Sequence, residues 1–313
     1  MLLAGLILAA GVASGTAQSA APDEAGVTLG ISPAINEIGI NRGEAIHREL
    51  IIENKAGTPA AIRLHSENFE ASDPYGAISF NSDDTRQYAA STWIKLAASN
   101  LVLAPRQRTT LSYELACPPD AEPGGHYATI FLEPAMAASG STNSTIGITQ
   151  RVGALLFITV GGHTVEQGQV LGASTKGACN TWQCSFKTDR WREWGPVPFI
   201  FQFANTGTVH VSVAGAITVK DIFGRNAGSV DILPKTVLPG SSRSFAVTWP
   251  REILLGPYTA TLKLTYGAQH RTDTTTLSFW VIPWRGLAIA MAVGLAAGLR
   301  IFVRRSRKQP KIH

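Results

Sequence analysis

The chain has 313 residues, and a formal net charge of +5 with a pI near 9.2 invites a nucleic-acid partner. Charge placement excludes one. Seven of the 27 Lys and Arg lie at Arg285 or beyond and all 22 Asp and Glu precede it, so the rest of the chain is about −2, with no basic patch to hold phosphate.

The first element is Leu2–Val12 (LLAGLILAAGV), a short apolar run followed by small residues and Gly15-Thr16-Ala17. It reads as a secretory signal peptide over residues 1–17, although no Lys or Arg precedes it. The alternative is a retained second anchor. Either way, the bulk of the chain up to Ile282 is expected outside the membrane, enough for two ordinary domains.

From there β-branched and apolar runs recur every ten or so residues, separated by Gly, Pro, Asn and Asp. Examples are His47–Glu53, Ala60–His65, Thr110–Leu115, Ala128–Leu132, Gly153–Val160, Phe199–Phe203, Ser244–Thr248 and Ala260–Thr265. No long amphipathic helix interrupts them, so the chain reads as all-β and sandwich-forming.

The chain also repeats itself. Val102–Leu132 and Val237–Leu264 both run from Val-Leu through a Pro turn (Pro105, Pro239) to an Arg and a strand. A second Pro ends that strand (Pro118, Pro250), and a Gly-x-Tyr segment opens the next (Gly125–Tyr127, Gly256–Tyr258). Upstream, Asn54 and Asn205 each stand at a turn between two strands. Two tandem immunoglobulin-like β-sandwiches are therefore expected, over residues 27–165 and 166–282. Tyr127 and Tyr258 are expected to tuck under their corners as tyrosine corners do. Ala135–Thr145 reads as a long polar loop.

Cys179 and Cys184 bracket four residues, which suits facing positions of a tight hairpin and a disulfide in an exported domain. Cys117 reads as a small buried apolar residue. The segment Trp182–Phe203 is rich in aromatics, with Arg192 between Trp191 and Trp194. Two readings stand: packing in the second core and between domains, or an exposed interaction patch of Trp182, Trp191, Arg192 and Trp194.

Gly286–Val303 is apolar apart from Arg300, and Arg304, Arg305, Arg307, Lys308 and Lys311 follow. Eighteen residues give roughly 27 Å of helix, the thickness of a bilayer core. A transmembrane helix over residues 283–303 with a basic cytoplasmic tail, residues 304–313, is expected. Trp280 and Trp284, one helical turn apart, read as its outer interfacial belt.

Trp93–Leu96, the Val-Leu-x-Pro turn, Pro118–Tyr127 (PPDAEPGGHY) and Gln150–Val160 (QRVGALLFITV) resemble the first domain of the WxL-interacting cell-surface proteins of Gram-positive bacteria. The resemblance covers about 130 residues, and its motifs are turn and core positions. It implies a cell-surface binding role, with peptidoglycan or a partner surface protein as ligand, and carries over no contact residue.

No nucleophile elbow, metalloprotease helix or phosphate-cradling loop is present, and the seven His are scattered singly. His126 reads as a turn residue. Asp83-Asp84 and Glu67–Glu70 lack a calcium-loop pattern. The expectation is no catalytic, metal or cofactor site. The expected function is a membrane-anchored, non-catalytic surface protein that binds a cell-wall polymer or partner protein in an adhesion or scaffold role. A pilus-chaperone-like assembly factor is the alternative, and a carbohydrate-active enzyme stands behind it.

Overall fold

Alternating inward and outward side chains build most of the strands. In Ala45–Asn54, Leu50 and Ile52 are buried while their neighbours face out, the period-two pattern of a sheet with one face on a core. The computed structural model describes residues 28–135, 151–175, 177–180, 183–186 and 191–306, with backbone alone for 177–180, 183–186 and 303–306. The signal-peptide segment, Trp182, residues 136–145 of the expected loop and the tail beyond Ser306 lie outside the described residues.

The first sandwich contains β1 (Leu29–Ser32), β2 (Ile35–Ile40), β3 (Ala45–Asn54), β4 (Ala60–Ala71), β5 (Ile78–Asn81), β6 (Ile94–Leu96), β7 (Asn100–Leu103), β8 (Arg108–Ala116), β9 (Gly124–Pro134) and β10 (Val152–Val160). One sheet is ordered β1-β3-β8-β6. The other is β2-β10-β9-β4-β5, with β7 also on β4. Strand β1 runs antiparallel to β3 in one sheet, and the chain then crosses so that β2 runs parallel to β10 in the other, tying the layers together.

The second sandwich contains β11 (Gly168–Ser174), the hairpin β12 (Gly177–Asn180) and β13 (Gln183–Phe186), β14 (Trp191–Arg192), β15 (Val197–Asn205), β16 (Val211–Asp221), β17 (Asn226–Val237), β18 (Ser242–Trp249), β19 (Gly256–Tyr266) and β20 (Arg271–Val281). Its sheets, β11-β15-β18 and β14-β20-β19-β16-β17, repeat the plan. The entering chain again pairs antiparallel in one sheet (β11 on β15) and parallel in the other (β14 on β20). The molecule is all-β, two immunoglobulin-like sandwiches followed by one helix, α1 (Trp284–Ser306).

Two devices written twice in the sequence hold equivalent corners. Asn54 is fully buried, and its amide donates to the carbonyls of Thr58, Leu103 and Ala104 while its Oδ1 accepts from Ala56 N–H. Asn205, 1% exposed, donates to Val209 and Val237 and accepts from Gly207 N–H. Each asparagine thus satisfies turn and cross-strand carbonyls that would otherwise be buried without partners. The following Pro turn closes with Gln107 N–H to Ala104 O at 3.1 Å and Ser241 N–H to Leu238 O at 3.3 Å. Both put positive φ on the residue after proline, 58° at Arg106 and 69° at Gly240, as a type II turn demands.

Separate cores run over Leu29–Val160 and Val197–Val281. Phe199, Phe201 and Phe203 are among the most buried side chains of the second, so this half of the aromatic segment is core. Cys117 is free and buried at 4%, and burial raises its thiol pKa, as expected of an inert interior cysteine.

Trp280 departs from expectation. It belongs to β20, opposite Pro257 on β19, and the helix begins only at Trp284 after Ile282-Pro283. The i, i+4 spacing of the two tryptophans is therefore not helical; strand pairing with β19 overrides it. Helix α1 carries a 19-residue stretch, Trp284–Phe302, long and apolar enough to cross a membrane, and none of that stretch is buried against the rest of the protein.

Candidate functional site

The outer face of β9 explains where the sandwiches meet. Its even-numbered residues Ala128, Ile130 and Leu132 enter the first core, whereas Tyr127 and Phe131 point to the other face. There Tyr127 joins Phe69 and Phe157 at ring-centroid distances of 5.5 and 5.7 Å, in tilted and edge-on contacts, and Leu238 of the second sandwich completes the cluster. Phe131 lies beneath Phe80 and the Arg151 guanidinium, 4.8 and 4.2 Å away.

The Asn205 turn of the second sandwich docks on this face. Gly125 N–H donates to Thr208 O at 2.8 Å, and Thr208 in turn exchanges two hydrogen bonds with Val165 of the linker. The Tyr127 hydroxyl lies 3.3 Å from His210 Nδ1, and the His210 ring packs 4.9 Å from Phe157. A Cβ on Gly125 would sit 2.1 Å from the Tyr127 hydroxyl, so only glycine leaves the ring room to fold back. Tyr127 thus serves the joint between sandwiches. Tyr258 does serve its own corner, accepting Leu255 N–H at 3.3 Å while stacking on Phe279. Burial pushes the Tyr127 hydroxyl pKa far up and the His210 pKa down, so both are neutral here at neutral pH; Glu37 and Glu166 partly oppose the shift at His210.

Beside this joint lies a cleft of about 540 Å³. Phe69 and Tyr127 form its floor and Tyr88 one wall, and the Leu238–Ser241 turn faces them from the second sandwich. At its rim Arg86 Nη1 donates to Glu70 Oε1 at 2.6 Å. The segment carrying Arg86 and Tyr88 is fixed by Asn68, whose Oδ1 accepts from Ala90 and Ser91 N–H and whose amide donates to Asp84 at 2.9 Å.

The acidic residues near the cleft are absorbed in this scaffolding. Asp83 caps Thr85, Asp84 accepts from Asn68 and Ser91, and Glu67 pairs with Arg151. Among the described residues no group of three or more His, Cys, Asp or Glu stands together as metal ligands. His126 is a buried residue, hydrogen-bonded to Glu122 O at 3.0 Å and packed on Trp93, not an exposed turn histidine.

No family model and no curated protein matches the chain. Solved structures do. The chain is similar to a chaperone-tip adhesin complex of CFA/I fimbriae biogenesis, with a TM-score of 0.43 at 10% identity, covering 81% of this chain and 99% of that one. A class 5 fimbriae chaperone gives 0.42 at 10% identity, with 80% and 99% covered. The chaperone-tip adhesion subunit complex of the archaic Csu pili of Acinetobacter baumannii gives 0.38 at 10% identity, with 80% and 98% covered.

The expected interaction patch is not part of the cleft. Trp191 and Trp194 are exposed at the other end of the second sandwich, Arg192 is half-buried with Nη1 donating to Thr175 O at 3.0 Å, and Trp182 is not described. Cys179 stands opposite Cys184 in the β12-β13 register, the pairing a hairpin disulfide requires; their sulfurs lie outside the described side chains. The cleft residues Tyr88 and Leu238 were not foreseeable as neighbours. The one sequence signal for them is the second copy of the Pro turn, which carries Leu238 to the joint.

Proposed function

We propose that this is a membrane-anchored, non-catalytic protein that holds another exported polypeptide, in the manner of an assembly factor or scaffold. Helix α1 crosses the bilayer, the basic tail is cytoplasmic, and both sandwiches stand outside. The observation that carries the reading is the cleft at the joint of the sandwiches, with an aromatic floor and a charged rim, suited to apolar side chains of an extended segment and to its polar backbone. The resemblance of Trp93–Leu132 to the first domain of WxL-interacting proteins supports a partner surface protein over a free small molecule. The fimbrial assemblies among the similar structures make a surface subunit the partner class to try first.

Full-length protein in detergent would be immobilised and exposed separately to the exported protein fraction and to isolated cell wall from its own cells. A discrete exported polypeptide is expected, with its retention lost in Tyr88→Ala. Retention on cell wall alone, unchanged by Tyr88→Ala, would sink the reading in favour of a wall-binding scaffold.

A further inference from the structure

The exposed apolar side chains of the second sandwich are gathered at one end. Between β11 and β20, nine large hydrophobic residues are exposed among those described, and only Leu171 and Leu233 lie away from the end where α1 leaves. The strand register defines that end. Trp191 pairs with Trp280, Trp280 with Pro257, and Tyr258 with Asp221, so β14, β20, β19 and β16 all terminate there side by side.

Three tips project from it. The β16-β17 turn presents Phe223, 77% exposed, next to Ile222. The β18-β19 connection presents Ile253, 82% exposed, and Leu255. The β14 segment presents Trp191, stacked on Trp280 at 5.6 Å, and Trp194, whose ring lies against Gly286 in the first turn of α1. Three arginines also lie at this end: Arg225, paired with Asp221 at 2.8 Å, is 4.9 Å from the Phe223 ring centroid, Arg251 of the β18-β19 connection is 6.0 Å from that of the buried Trp249, and Arg285 in the first turn of α1 is 5.3 Å from that of Trp284.

Such a surface is costly in water but suits the headgroup region of a bilayer, where tryptophan rings and the stems of arginines lie among acyl chains and their polar tips reach phosphate. The connection to the helix leaves little alternative position. Only Ile282 and Pro283 separate β20 from α1, a reach of about 10 Å when extended. That reach is shortened further because Ile282 N–H is bonded to Arg192 O at 2.7 Å, and Arg285 pairs with Glu193 at 3.5 Å.

We infer that this end of the second sandwich is a lipid-contacting foot, seated in the outer headgroup layer through the tips at Phe223, Ile253 and Trp191/Trp194. The inference rests on the reading that α1 crosses the bilayer. It assigns the exposed tryptophans to lipid, and it makes the second sandwich a rigid stand. Eleven-residue strands hold the cleft about 35 Å above the membrane.

The full chain labelled with 5-fluorotryptophan would be placed in nanodiscs of phosphatidylcholine and phosphatidylglycerol carrying a headgroup nitroxide lipid. Its resonances, assigned by single Trp→Phe substitutions, would be read by fluorine NMR, with Phe223→Trp and Ile253→Trp adding two reporters. Trp284, Trp191, Trp194 and both added reporters are expected to broaden several-fold more than Trp93 of the first sandwich. Broadening of Trp284 without the Phe223→Trp and Ile253→Trp reporters would overturn the foot while leaving the anchor intact. No broadening of Trp284 would remove the anchor reading and the foot with it. Reporters that shift with protein-to-lipid ratio but not with nitroxide would make this face an interface between copies, which also overturns the inference.

Discussion

The two sandwiches share a frame and differ at their ends. Asn54 and Asn205, the type II turns at Arg106 and Gly240, and the antiparallel-then-parallel entry of the chain repeat from one to the other. The first sandwich turns its Gly-x-Tyr tyrosine toward its neighbour, whereas the second uses it internally. The second inserts the β12-β13 hairpin between its two entering strands β11 and β14, where the first has only Pro33 and Ala34 between β1 and β2. The lesson is that the frame is held by buried hydrogen bonds and fixed turns, while contacts to neighbours sit on positions the frame leaves free.

The strongest way to break this comparison is to remove the frame asparagines. Asn54→Ala and Asn205→Ala each strand at least two buried carbonyls, and each is expected to cost about 3 kcal/mol in chemical denaturation, each chiefly in its own sandwich. A loss well under half of that in either would mean that the corners are not equivalent.

Next comes the joint. Burial lowers the His210 pKa, so its contribution is fully present above the ordinary histidine value and is lost as pH falls through that value toward the folded one. Thermal unfolding of the full chain from pH about 8 down to about 5 should show a loss of stability that His210→Gln diminishes. Glu37 and Glu166, which favour the charged ring, limit its size.

The equivalent turn residues should respond with opposite sign. Arg106 carries a Cβ in left-handed backbone and Gly240 does not, so Arg106→Gly should stabilise by up to about 1 kcal/mol and Gly240→Ala destabilise by about 1 kcal/mol, read from denaturation midpoints. The smallest effect is at the second corner, where Tyr258→Phe removes the hydroxyl accepting Leu255 N–H. A loss of about 0.5 to 1 kcal/mol is expected in chemical denaturation, chiefly in the second sandwich.

Much of the frame was legible because its devices are local. A proline turn, a glycine before a tyrosine and an asparagine between two strands each carry their own geometry. The register of Cys179 and Cys184 was legible for the same reason. The cleft was not, since Phe69, Tyr88 and Leu238 come together only through docking of one sandwich on the other. Trp280 and Trp284, four apart in sequence, do not share a helix: Trp280 stands opposite Pro257 near the end of β20, and α1 begins at Trp284, close to the expected start at Pro283, because strand pairing with β19 is a long-range contact that aromatic spacing does not carry. The tryptophan segment held both answers at once, its phenylalanines entering the core and Trp191 and Trp194 facing out.

The central claim is a division of labour, a cleft that holds a polypeptide and a stand that carries it. Site-specific photo-crosslinking in the protein's own cells tests it most directly, with p-benzoylphenylalanine in place of Gln87 at the cleft and of Phe223 at the far end of the second sandwich. The account predicts a discrete adduct with an exported protein from position 87 and none from position 223. A protein adduct from position 223 with none from position 87 would contradict it.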